Sequence, residues 1–342
     1  MLLRDIGEFG FIERIAGRVA RAGAAGDDPR IVLGIGDDAA LLDLGGPDLV
    51  AVTTDAMLED RHFRLDWLTP EEVGWRAASG AISDLAAMGA SPAAVFCSVG
   101  LPTDWPVEDA DALVAGVASG CEATGASLTG GDVISSDRVL LDIMALGLVP
   151  RGRQLTRHAA AAGELLAVTG ALGAPAAAVS ALQALGRGAL ADHPAVRRRF
   201  AHPEPRVAAA SAIADSGLAA AAIDISDGLV QDAGHIAERS KLRAVIEAAR
   251  VPVAEGCEAL ARALDADPLH WALSGGEDFE LLVAVDEADL PALQALPEVA
   301  AVGLTVVGRL EAGEGAVALD AQDREIALPR GGWDHFGVSA RE

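Results

Sequence analysis

Apolar residues recur every three or four positions from Gly7 onward, with Phe11, Ile15 and Val19 on one face, which predicts a helix over 7–22. Short apolar runs at 31–35 and 49–53 read as strands. Thr69-Pro70-Glu71-Glu72 is a helix start, with Thr69 as N-cap, Pro70 in the first turn and Glu72 placed to close a capping box. That helix is expected to run to about Met88, where Gly89 can end it. A strand over 93–101, a helix over 107–124 and a nearly continuous apolar strand over 139–149 follow. Pro150-Arg151-Gly152-Arg153 interrupts the pattern and is read as a domain boundary, giving units of 1–150 and 151–342. The second unit restarts with a strand at 165–169, then a GALGAP turn and an alanine-rich helix. A strand at 221–225 runs into a helix with Leu229, Ala233 and Ile236 spaced for burial, and a further strand covers 279–285. The expectation is a two-domain α/β (α+β) protein without internal repeats.

Composition narrows the function. The 342 residues are 51% hydrophobic, enough for two cores, and 23% charged, so wholesale disorder is not expected. No run of about 18 apolar residues occurs, which argues against a membrane span. Arg4, Asp5 and Glu8 interrupt the first apolar segment, unlike a signal peptide. Cys97, Cys121 and Cys257 lack metal or disulfide spacing, and a reducing cytoplasm is expected. The net charge of −25 repels nucleic acid and anionic membranes, and Arg197–Arg199 is the only basic run. The single lysine, Lys241, follows no glycine loop, which excludes a Walker A phosphate site and a protein-kinase core.

The aspartates carry the chemistry. Gly36-Asp37-Asp38 follows one predicted strand, Thr53-Thr54-Asp55 ends another, and Gly130-Gly131-Asp132 precedes the long one. Asp224 ends a strand, and Ser226-Asp227-Gly228 opens the next helix. Asp84 stands inside the 70–88 helix among Ala81, Ile82, Leu85 and Met88, where a carboxylate is costly unless its charge is met. Each such site alone is ordinarily a turn or an N-cap. Gathered in one cleft they would repel one another, and an oxygen-rich cluster of this kind suits Mg²⁺ or Ca²⁺ rather than zinc. The glycines at 34, 36, 130, 131, 275 and 276 would let backbone amides approach phosphates. The residues together suggest metal-dependent phosphoryl transfer without a P-loop.

The segments GEFGFIERI, GIGDDAALL, VTTDAMLEDRHF, SDLAAMGASP, TGGDV, AIDISDGLVQDAGHIA, ALSGGEDFELL and GGWDHF, in this order over 7–336, resemble the thiamine-monophosphate kinase (ThiL) family of the aminoimidazole ribonucleotide synthetase-like superfamily. The resemblance implies ATP-dependent conversion of thiamine monophosphate to thiamine diphosphate by direct in-line transfer, with several Mg²⁺ ions. It also implies a homodimer whose N-terminal domains pair into a β-barrel. By this resemblance the metal residues are Asp38, Thr53, Thr54, Asp55, Asp84, Asp132, Asp224 and Asp227, with Asp37 beside the first. Gly131, Asp132, Arg157 and Ser226 are implied for the nucleotide, His62, Glu277 and Trp333 for the thiamine phosphate, and Asp84 and Arg157 for catalysis. An aromatic face and a carboxylate suit a pyrimidine and a thiazolium cation. The attacking group is itself an anionic phosphate oxygen, so no general base is expected. Rival readings are another superfamily synthetase, a Mg²⁺-dependent hydrolase, or a nucleotide-binding protein without activity.

Overall fold

The structure is a computed structural model that describes residues 3–21 and 28–327, so Trp333 lies outside the described residues. Helix α1 (Gly7–Arg21) forms where the periodicity predicts, but Phe11 and Ile15 stay exposed. Strands β1 (Ile31–Leu33) and β2 (Ala40–Leu42) pair as a hairpin whose loop carries Asp37 and Asp38; the second strand was not foreseen. Strand β3 (Asp48–Leu58) pairs along its whole length with β6 (Leu140–Pro150). Between them come α2 (Pro70–Ala87), β4 (Ser91–Leu101), α3 (Val107–Ala123) and β5 (Ser127–Ser135). The sheet order is β1-β2-β3-β6-β4-β5, antiparallel except for β4 against β5.

Two sequence expectations need correction here. Thr53-Thr54-Asp55 lies inside β3, not at its end, and Gly130-Gly131-Asp132, which does precede the long strand β6, lies inside a strand of its own, β5, that was not expected. Polar residues in mid-strand read as a strand end. Their neighbours in the sheet, not their own sequence, continue the ladder: Thr53, Thr54 and Asp55 face Ala145, Met144 and Ile143 of β6. Strand alternation then puts Thr53 and Asp55 on the core face and Thr54 on the other.

The second sheet runs β12-β9-β11-β7-β10-β8, from β7 (Leu165–Thr169), β8 (Ala219–Asp224), β9 (Arg243–Glu247), β10 (Leu281–Val285), β11 (Leu304–Glu311) and β12 (Gly315–Leu319). Only β9 and β12 pair parallel. Helices α4 (Ala174–Leu185), α5 (Pro194–Ala201), α6 (Val207–Ser216), α7 (Leu229–Ser240), α8 (Cys257–Leu264), α9 (Pro268–Ser274), α10 (Leu290–Gln294) and α11 (Pro297–Val302) complete the eleven α-helices of the described residues. Neither sheet closes on itself, so the described residues of the chain alone form no barrel. No helix of the described residues is long and apolar enough to cross a membrane.

Helix α2 joins the two halves. Its cap forms as expected: the Glu72 amide donates to Thr69 Oγ1 at 3.3 Å, and the Thr69 amide donates to Glu72 Oε2 at 2.9 Å. Val73, Ala77, Ala78, Ala81, Ile82 and Leu85 are fully buried, as befits a helix covered on all sides. Against α3 it packs so closely that a Cβ at Gly116 would lie 1.9 Å from the Glu71 carbonyl oxygen. On the other flank, Trp75 Nε1 and Ser79 Oγ both donate to the Pro203 carbonyl, at 2.9 and 3.1 Å. In the second half, buried Glu280 accepts from Thr169 Oγ1, Arg199 and Arg206 at 2.5 to 2.6 Å, tying β7 and the start of β10 to α5 and the start of α6.

Candidate active site

Between the halves lies a cleft of about 1100 Å³. One face of α2 forms its floor. Arg76, Gly80 and Asp84 repeat at four-residue intervals, which stacks them along one side of the helix, with Ser83 beside Asp84. Each meets a group from elsewhere in the chain. Arg76 Nη2 donates to Glu277 Oε2 at 2.6 Å. Gly80 leaves room for Asp55, whose Oδ2 would sit 2.6 Å from a Cβ there. Ser83 Oγ donates to Asp224 Oδ2 at 2.6 Å, and Asp84 Oδ2 accepts from Thr53 Oγ1 at 2.7 Å.

Three carboxylates converge at the end of this face. Asp38 from the β1–β2 loop, Asp84 from α2 and Asp224 from the end of β8 each place a carboxylate oxygen within 4.8 Å of the other two. Asp38 and Asp224 are buried, and Asp224 Oδ1, enclosed by protein, has no hydrogen-bond partner. A buried acceptor without a donor is a costly atom in a native protein. Burial pushes Asp84 well above the ordinary carboxylate range, and Asp224, Asp38 and Asp55 raise it further. Asp224 rises to about 7 through burial and then Asp38, while Asp37 rises to about 6 through burial and its neighbour Asp38. An all-oxygen set of mutually repelling carboxylates with an orphaned lone pair fits a hard divalent cation.

Arg157 is the counter-charge already present. Its backbone amide donates to Asp37 Oδ2 at 3.1 Å, its Nε to Asp38 Oδ2 at 3.2 Å, and its terminal nitrogen also bonds Asp38. Burial would lower its pKa, but the paired Asp38 overcomes this and raises it, so the guanidinium stays protonated.

The other expected residues divide into two groups. Thr54, Asp55, His62, Ser226, Asp227 and Glu277 all line the cleft. His62 Nδ1 accepts from the Leu58 amide at 2.9 Å, which leaves the proton of the neutral ring on Nε2. Gly131 and Asp132 do not line it. They sit on the exposed edge strand β5, where Asp132 Oδ1 accepts, among the described residues, only its neighbour's amide, Val133 N, at 2.9 Å.

Several residues of the site were not foreseen. Arg76 closes one end, Ser83 holds Asp224, and Phe279 lines the wall. Asp278 accepts the Gly173 amide at 2.9 Å and fixes the start of α4; burial lifts its pKa to about 8. Asp227, Asp232 and His235 form a second close set. Asp232 Oδ2 there is occupied by the amides of Ser226, Asp227 and Gly228 at 3.0 to 3.2 Å, which shapes the loop. The one sequence signal for Asp232 is its place one turn inside the helix that Ser226-Asp227-Gly228 opens.

A pH dependence follows for the metal-free protein. Asp37, Asp84, Asp224 and Asp278 have folded pKa values above the ordinary 3.8, so their protonated forms favour the fold. That contribution is complete below the unfolded value and is lost as pH rises through about 6, 7 and 8. His235, lowered to about 4 by burial, then Arg157 and Arg239, acts oppositely between 4 and 6.5. The clean window is therefore above 6.5. In EDTA the melting temperature is expected to fall from pH 6.5 to 8.5, and a flat or rising profile would contradict the buried acidic cluster.

Comparison with known proteins agrees with this architecture. Residues 36–149 match the AIR synthase related protein, N-terminal domain, and residues 161–320 match its C-terminal domain. The thiamine-monophosphate kinase of Mycobacterium tuberculosis is 37% identical over 336 residues, 98% of this chain and 93% of that protein. The Escherichia coli protein of the same name is 34% identical over 337 residues, 97% of this chain and 99% of that protein. The structure of AaThiL complexed with AMPPCP and TMP superposes with a TM-score of 0.82 at 29% identity, covering 98% of this chain and 99% of the other. The protein tt0281 of Thermus thermophilus gives 0.81 at 29% identity, covering 96% and 100%. Escherichia coli HypE, a hydrogenase maturation protein, shares the fold at 19% identity and a TM-score of 0.65, covering 94% and 98%. By sequence over nearly its whole length and by fold, the chain belongs to the thiamine-monophosphate kinase family.

Proposed function

We propose that the chain transfers the γ-phosphoryl group of ATP to the phosphate of thiamine monophosphate, yielding ADP and thiamine diphosphate. The observation that carries this reading is the convergence of Asp38, Asp84 and Asp224, with Asp224 Oδ1 unpartnered, at the wall of a cleft large enough for two substrates. The relatives' names and the AMPPCP and TMP bound to AaThiL support the substrate pair.

Asp38, Asp84 and Asp224 would hold Mg²⁺, with Thr53, Asp55 and Asp227 as the further residues of the metal set nearest them; Thr54 and Asp132, which the family resemblance adds, lie on the other face of β3 and on the edge strand β5. Mg²⁺ there supplies neutralisation and alignment of phosphate oxygens. The chain's own residues do the rest. Arg157 holds a fixed positive charge against the Asp37–Asp38 loop, where it can turn donors toward a phosphate. His62 and Ser226 border the cleft with polar side chains, and Gly276 borders it with backbone that can approach an anion. The acceptor oxygen is already anionic, so no side chain in the cleft has to take a proton. Transfer rests on positioning and electrostatics, with Asp84 and Arg157 as its central groups.

We assign Gly131 and Asp132 to a homodimer. On an exposed edge strand beside Val133 (74% exposed) and Ile134 (55% exposed), they offer unpaired backbone and apolar side chains to a second copy. Edge pairing of two such sheets into a barrel would set these residues near a nucleotide; Trp333, outside the described residues, is assigned to the thiamine side by the family resemblance alone.

The test is an ADP-release assay with ATP and Mg²⁺, with and without thiamine monophosphate, the product being identified by chromatography. Equal amounts of ADP and thiamine diphosphate, abolished by EDTA, are expected. ADP release indifferent to thiamine monophosphate would assign another acceptor.

A further inference from the structure

We propose that Arg76 turns Glu277 into a charge-neutral hydrogen-bond acceptor for the exocyclic amino group of an aminopyrimidine, rather than a counter-ion for the thiazolium. This deepens the kinase reading above and rests on it. Arg76 is only 2% exposed and is gripped from three sides. Nη2 donates to Glu277 Oε2 at 2.6 Å, Nη1 donates to the Phe200 carbonyl, and the guanidinium carbon lies 4.9 Å from the centre of the Phe200 ring. So held, it cannot swing away to leave Glu277 charged.

Glu277 is equally fixed. Its amide donates to the Ser226 carbonyl at 2.8 Å, and its backbone sits at φ +64°, a conformation most side chains avoid. Its side chain keeps 35% exposure, on the cleft side, and Oε1 accepts no hydrogen bond from any described residue. The pair therefore presents a lone oxygen with almost no net charge behind it. A cation in the cleft feels a +1 and a −1 a few ångströms apart, and the repulsion by Arg76 largely cancels the attraction by Glu277.

The chemistry of the acceptor substrate makes the match. The thiazolium carries its charge on a ring without N–H, and the phosphate of the same molecule balances that charge. The pyrimidine amino group is the one N–H donor of the organic part. An acceptor that the bound substrate itself desolvates rejects an analogue that presents a carbonyl oxygen in place of that donor, because two acceptors then face each other. Arg76 acts through Glu277 and is a positioning residue. Because it lies two turns before Asp84 on α2, one helix sets the distance between the amino end of the substrate and the acidic cluster.

The experiment compares thiamine monophosphate with oxythiamine monophosphate, which has a carbonyl at the amino position and the same thiazolium. Dissociation constants come from calorimetry and kcat/KM from ADP release, for wild type, E277Q and R76K. Wild type is expected to favour the amino compound about 100-fold or more. E277Q, whose amide can donate, is expected to shrink that ratio at least about tenfold. R76K keeps the charge but loses the fork. It is expected to weaken thiamine monophosphate binding about threefold to tenfold, with kcat within about twofold. A Glu277 acting as counter-ion would lose both compounds equally in E277Q, and an unchanged ratio overturns the proposal. So does an R76K dissociation constant equal to wild type, or a wild type that binds neither compound. A wild type that binds selectively without forming thiamine diphosphate leaves this recognition standing and removes the kinase reading instead.

Discussion

Asp84→Asn is expected to lower turnover about a thousandfold or more while raising the melting temperature of the metal-free protein. The two effects share one cause. Asp84 is pressed by its own burial and by Asp224, Asp38 and Asp55, so its charge is unfavourable until a cation compensates it. An amide of the same shape can still accept from Thr53 Oγ1, which now bonds Asp84 Oδ2 at 2.7 Å. Packing along α2 is therefore kept while one of three repelling charges is removed. Without that charge, Asp38 and Asp224 hold a divalent ion poorly, and the phosphates lose their fixed partner. The checks are kcat at saturating ATP and Mg²⁺, and thermal unfolding in EDTA at pH 8. Wild-type turnover would remove Asp84 from the catalytic set, and a lower melting temperature would show that repulsion is not the governing term.

The second large effect is structural. Glu280→Gln is expected to destabilise the protein by about 3–5 kcal/mol, the usual cost of breaking a buried ion pair on one side. Glu280 is fully buried, and its two oxygens receive Thr169 Oγ1 and the guanidinium groups of Arg199 and Arg206. With an amide there, two mostly covered cations lose the anion between them, and among the described residues only Arg206 keeps another within ion-pair reach, Glu204 at 4.0 Å. The loop just before Glu280 carries Glu277 and Asp278, so the wall of the cleft should loosen as well. Urea unfolding of the two proteins measures the difference, and a loss below about 1 kcal/mol would mean that water already screens the network.

The GDD, TTD and DISDG segments were recognisable as acidic clusters beside glycine and hydroxyl residues, yet only part of each enters the carboxylate cluster. In the first, Asp38 joins it while Asp37 is committed to the Arg157 amide. In the second, Thr53 reaches Asp84 while Thr54 points to the opposite face of β3. In the third, Asp224 joins the set, and Asp227 pairs instead with Gln231, whose Nε2 donates to Oδ2 at 3.0 Å. Arg76 escaped notice because an arginine in a helix is ordinarily solvated, and nothing near it in the chain marks Glu277, some two hundred residues on, as its partner.

The sequence by itself determined the features that act over a few residues. These are the capped start of α2, its apolar periodicity with a misfit Asp84, the lack of a Walker lysine, and family motifs running almost end to end. Capping, periodicity and motif spacing are local, and are written within one or two turns of chain. Only the tertiary structure decided that Asp38, Asp84 and Asp224 meet, that Arg76 neutralises Glu277, and that the TTD and GGD segments continue strands. Those outcomes depend on which helix face lies against which sheet and on the register of paired strands. Both are set by packing between segments far apart in the chain.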